Sequence, residues 1–200
     1  MAARRIHWFR IFLFAVPIAV AGALLIEYFL HLYNQQPASW DSQPSAGGRI
    51  HATPFLMAGL DRPQTVAAKD AKVADDEDVI GVVVNGRTRA YRVTAFHGMT
   101  NHVVNDVIDA VPVTVTYCDE NNCVQAFTGP KRGQPLDIWV GGWNQQMILK
   151  TGGTYFWQST GKSTDADRPD EMPFPTFPFE RLSWKAWRSI YPNTDVYVGQ

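Results

Sequence analysis

The chain has two cysteines, and both fall in one short stretch, Tyr117-Cys118-Asp119-Glu120-Asn121-Asn122-Cys123, at the end of a strand-like run. If residues 112–118 and 123–128 pair around loop 119–122, Cys118 and Cys123 oppose each other directly and point to the same side of the hairpin. Alternation then puts Val113, Val115 and Tyr117 with Val124 and Ala126 on one face. Thr114, Thr116 and Cys118 fall with Cys123 and Gln125 on the other, more polar face, with Phe127 as the exception.

Such a pair admits three chemistries. In an oxidising compartment it reads as a disulfide, and opposed strand positions lie within the Cα range of a bridge. A loop this short gains only about 2 kcal/mol from closure, less than half what a 100-residue loop would gain, so as a staple it is a poor one. The second chemistry is a soft-metal site for copper or zinc, built from two thiolates and an imidazole, with Asp119 and Glu120 favouring an arriving cation. The third, thiol oxidoreduction, needs a depressed thiol pKa and usually a C-x-x-C spacing. Here the spacing is C-x4-C and the adjacent carboxylates disfavour the thiolate.

The candidate imidazole is His102. If residues 101–106 form a helical turn, Asn105 at i+3 and Asp106 at i+4 share its face and can orient the ring by hydrogen bonding to the nitrogen that does not hold the metal. His97, with Met99 nearby, is a second candidate donor. No G-x-S-x-G, H-E-x-x-H or P-loop occurs, and Asp165 and Asp167 lack apolar flanks that would raise a carboxyl pKa. No catalytic residue is assigned.

The elements that would position these groups are mostly strands. Residues 79–84 and 87–93 flank Asn85-Gly86, a strong hairpin signal because both central residues of a type I′ turn need positive φ. Further strand-like runs at 136–140, 147–151 and 154–158 are punctuated by Gly141-Gly142 and Gly152-Gly153, both read as turns. Residues 75–78, Asp-Asp-Glu-Asp, read as a solvated turn. Residues 172–179 alternate aromatics with prolines, the pattern of an extended segment laid across the domain. Residues 183–191 predict a short helix with Ser183 as N-cap and Pro192 as stop, whose Trp184, Trp187 and Tyr191 share the face that packs on a sheet. The expected fold is mainly β (α+β), of antiparallel sheets and hairpins with a short C-terminal helix.

Residues 11–26 carry no charged side chain, and with the flanking aromatics they are long enough to cross a hydrocarbon layer of about 30 Å. Arg4, Arg5 and Arg10 precede this run and Glu27 follows it, so the N-terminus is expected in the cytoplasm and the rest outside. A cleaved signal peptide competes at Ala19-Val20-Ala21, but the apolar run continues through Ile26. The expected organisation is a cytoplasmic tip and single transmembrane helix over 1–33, a flexible Gln/Pro/Ser/Gly-rich linker over 34–48, and an exported, periplasmic or extracytoplasmic domain over 49–200. A net charge of -1 without a basic stripe argues against a nucleic-acid partner. If the cysteines are merely a bridge, Trp139, Trp143 and Trp157 offer an aromatic surface for a protein partner in a membrane assembly.

Several motifs stand in a familiar order: Val79-Ile80-Gly81-Val82, Asn85-Gly86, Arg89-Ala90-Tyr91, residues 102–106, residues 112–118, Trp157-Gln158-Ser159-Thr160-Gly161, and Trp184-Lys185-Ala186-Trp187 ending in Tyr191-Pro192-Asn193-Thr194. In this the chain resembles the bacterial domain of unknown function 3179 family over about residues 78–198. The resemblance implies no particular activity. The family's commoner form carries its second cysteine three residues after the first. Here that position is Asn121 and the second thiol is Cys123, a variant spacing.

Overall fold

A computed structural model of the chain describes residues 55–98, 101–167 and 170–199. The expected membrane helix and linker, and Met99, lie outside the described residues. Among the described residues no helix is long and apolar enough to cross a membrane.

The strands in chain order are β1 (Met57–Ala58), β2 (Leu60–Asp61), β3 (Val66–Ala67), β4 (Asp78–Val84), β5 (Arg87–Arg92), β6 (Val103–Ile108), β7 (Val111–Cys118), β8 (Cys123–Thr128), β9 (Trp139–Trp143), β10 (Met147–Thr151), β11 (Thr154–Trp157), β12 (Glu180–Ser183) and β13 (Asp195–Tyr197). Helix α1 (Trp184–Ile190) lies between the last two. They form three sheets, ordered β1-β9-β10-β11, β12-β4-β5-β13-β3 and β2-β6-β7-β8. Most pairings are antiparallel, as expected; β13 with β5 and β2 with β6 are parallel.

Side-chain alternation stacks these sheets. Ile80, Val82, Val84 and Tyr91 of the five-stranded sheet share one core with Val104, Ile108, Val113, Val115 and Tyr117 of the β6-β7-β8 sheet. The opposite face of that second sheet, through Val103, Cys118 and Phe127, shares another core with Val140, Met147 and Leu149 of the β9-β10 sheet. The β6-β7-β8 sheet is therefore the middle layer, covered on both faces, which is why seven of the eight residues of β7 are buried, both threonines among them. On the far side of the five-stranded sheet, Trp184 and Trp187 of α1 pack on Val79, Ala90 and Val196.

Local chemistry explains the elements. Asn85 and Gly86 adopt φ of 50° and 81°, the left-handed pair the predicted hairpin turn requires. Ser183 caps α1, its Oγ accepting from the Ala186 amide at 3.3 Å. The proline-aromatic segment runs along β8, with the Thr128 amide donating to Pro175 O and the Phe177 amide to Ala126 O.

Three expectations are corrected. Residues 103–108 form a strand, not the continuation of a helical turn at His102, because a run rich in β-branched side chains pairs along its length with β7. Gly141-Gly142 is not a turn but lies inside β9, whose predicted bounds of 136–140 shift to Trp139–Trp143. There Gly141 is the extra residue of a bulge against β10, and a Cβ on it would stand 2.9 Å from the Tyr155 ring. The acidic turn is more than solvated surface: Asp75 pairs with Arg188, Glu77 with Arg92 and Asp78 with Arg181.

Candidate functional site

Strand pairing brings the two cysteines together as the alternation predicts. Cys118 is the register partner of Cys123, the last pair of the β7-β8 hairpin before loop 119–122. The loop closes on a left-handed Asn122, φ 58°. Asn122 Oδ1 accepts from the Tyr117 hydroxyl and from Arg181 Nη1, both at 2.8 Å, and Asn121 Oδ1 accepts from the Cys123 amide at 3.2 Å. The hairpin mouth is thus fixed at both ends of its loop.

Cys118 is buried, Cys123 half-buried, and both are free thiols rather than a bridge. The face that carries them reads as polar in sequence, yet the β9-β10 sheet covers it. Burial pushes the Cys118 thiol above its ordinary value, while hydrogen bonds from the backbone N–H groups of Asn121, Glu120 and Met147 pull against the rise. Burial and the neighbouring Cys118 push Cys123 up to about 11. At neutral pH both groups are neutral, and the thiolate that disulfide exchange requires is scarce.

The neighbours come from far along the chain. Gln158 is fully buried, donating from Nε2 to Thr116 Oγ1 at 3.0 Å and to Cys123 O at 3.2 Å, while its own amide donates to Met147 O. Its Oε1 is buried with no hydrogen-bond partner. Gln125 Nε2 reaches Ser159 O at 3.1 Å, so the turn after β11 holds the cysteine hairpin two register positions from its loop-closing pair.

The histidines stand differently. Val103 pairs with Thr116, so His102 falls opposite Tyr117, and its Nδ1 lies 3.0 Å from Tyr117 O and 3.9 Å from Asp119 Oδ1. His97 stacks on the Tyr117 ring, centroids 6.0 Å apart. Asp106 is not beside His102: its carboxylate accepts from Arg89 Nη1 at 2.6 Å and the Tyr91 hydroxyl at 2.7 Å across the boundary between sheets. Asn105 points the other way, accepting from Thr114 Oγ1 at 2.8 Å and donating to Ile138 O at 3.0 Å. These two residues tie the middle layer to its neighbours on either side.

Among the described residues no three of His, Cys, Asp and Glu converge where they could hold a metal ion. The arrangement supplies two opposed thiols and, in the same apolar cluster, the thioether of Met147. Gln158 and Met147 escape a reading of the cysteine stretch because no local spacing links them to it. Gln158 does stand in one of the motifs that carry the family resemblance. Trp139 is 37% exposed, whereas Trp143 and Trp157 pack inward, so the three do not form one open aromatic surface. Asp165 and Asp167 lie exposed in a loop.

No curated protein and no solved structure matches the chain. A family model described as "Protein of unknown function (DUF3179)" matches residues 57–199, most of the chain and every strand described above, and the chain belongs to that family.

Proposed function

We propose that this chain is a membrane-anchored, exported domain that binds a soft metal ion, copper(I) or zinc, between the thiolates of Cys118 and Cys123. The observation that carries the reading is the direct opposition of the two cysteines at the mouth of a hairpin in the middle layer. Directly opposed residues of an antiparallel pair hold their Cβ atoms about 4.5–5.5 Å apart, mostly beyond the 3.5–4.5 Å typical of a disulfide. Two sulfurs each about 2.3 Å from one metal sit wider apart than bonded sulfurs, which suits that opening. A buried thiol pair also favours metal over redox exchange: the ion brings the positive charge that an isolated buried thiolate lacks, and the two protons leave to solvent.

The test is metal analysis of the full chain, purified anaerobically in mild detergent and reconstituted with copper(I) or zinc, beside Cys118→Ser and Cys123→Ser. About one metal ion per chain in the wild type and loss in both variants is the expected result. Equal, near-zero copper and zinc in all three would sink the reading.

A further inference from the structure

Sulfur is concentrated around the cysteine hairpin. Three of the chain's five methionines, Met57, Met147 and Met172, share one apolar cluster with both cysteines. Met147 opens β10 and is buried in the cluster that also holds Cys118; its carbonyl accepts from the Gln158 amide, whose side chain in turn holds Cys123 O. Methionine is an ordinary filler of core gaps. Its position here, buried in one cluster with Cys118 and linked through Gln158 to the strand carrying Cys123, gives it a second use.

We infer that Met147 supplies a thioether ligand to copper(I) at the Cys118/Cys123 pair, making an all-sulfur, three-coordinate site. The inference rests on the two-thiolate reading above and selects the metal. Zinc takes thiolate, imidazole or carboxylate donors and favours four of them, yet among the described residues no third such group converges on the pair. Copper(I) accepts soft thioether sulfur. Gln158 borders the pair without being a ligand: its Nε2 holds Cys123 O and Thr116 Oγ1, fixing the strand that carries the second thiol. On binding, two S–H protons leave to solvent and the ion joins two thiolates, so the site carries one net negative charge.

The experiment uses the full chain in detergent, without oxygen, titrated with copper(I) against a colorimetric copper(I) chelator and separately with zinc. Met147→Leu conserves volume and is expected to keep the fold. It should weaken copper(I) binding by about tenfold or more while leaving zinc affinity unmoved. His102→Ala should leave copper(I) affinity unchanged. Selenomethionine-labelled wild type needs no core substitution: copper K-edge absorption should show a copper–selenium distance that Met147→Leu removes. Unchanged copper(I) affinity in Met147→Leu, absence of copper–selenium scattering, or a nitrogen ligand lost with His102→Ala would overturn the thioether inference. Those outcomes leave the two-thiolate reading standing so long as Cys118→Ser abolishes binding. If Cys118→Ser binds as the wild type does, the parent reading fails instead.

Discussion

Asp106 shows how a residue's work is decided by which face of a strand it occupies. Its buried carboxylate receives Arg89 and Tyr91 across the boundary between two sheets, and Arg89 Nε is left without a partner. Burial, then Asp106, raises the Tyr91 phenol well above its ordinary value, so it remains a hydrogen-bond donor at any physiological pH. Removing the carboxylate leaves the half-buried Arg89 guanidinium with only Asp195, 3.6 Å away, and the buried Tyr91 hydroxyl without its acceptor. Asp106→Ala should therefore lose about 3–5 kcal/mol in urea unfolding, and a loss below about 1 kcal/mol would show the pair to be dispensable. Glu77 gives a pH-dependent counterpart. Burial alone would raise its pKa, but hydrogen bonds from Arg92 and Thr94 outweigh that and hold it below the ordinary 4.5. A carboxyl depressed in the folded state adds stability that is fully present above the unfolded pKa and is lost as pH falls through the folded one. Glu77→Gln should flatten the acid side of a melting-temperature profile below about pH 5, leaving the neutral region parallel to the wild type; an equally steep acid fall in both proteins would exclude Glu77 as its source.

At the scale of elements, α1 sits on β4 because Gly81 leaves room for it. A Cβ at that position would stand 2.2 Å from Cζ3 of the fully buried Trp187. Gly81→Ala should therefore destabilise by about 1–3 kcal/mol, as overpacking does, and equilibrium unfolding checks it; an unchanged midpoint would mean the helix shifts freely. The helix and its aromatic face were legible in the sequence, as were the Asn85-Gly86 hairpin and the β7-β8 hairpin, because each is set by residues within a few positions of one another. The run from Val103 was not. A lone histidine followed by Asn105 and Asp106 suggests a helical face, and only the pairing with β7 turns those two residues to opposite sides. Gly141-Gly142 misleads for a related reason: a glycine inside a strand marks a bulge only once the neighbouring strand and Tyr155 crowd it.

For the molecule as a whole, the consequence of the layering is a middle sheet whose central strand, β7, is buried along seven of its eight residues. Amides of β6, β7 and β8 should exchange hydrogen most slowly, through global unfolding alone, while those of β1, β2 and β3, each two residues long, exchange through local opening. Hydrogen-exchange mass spectrometry checks this, and fast exchange across β7 would contradict a covered middle layer. The same layering bears on the site. Cys118 and Cys123 oppose each other by hairpin register, a local property that residues 112–128 specify with period-two alternation and a short loop. That the thiol-bearing face is covered, that Gln158 reaches Cys123 from 35 residues away, and that Met147 meets the same apolar cluster are decided by the packing of one sheet on another. Periodicity along a chain records which side chains share a face; what lies against that face depends on distant segments, and only the folded molecule brings them there.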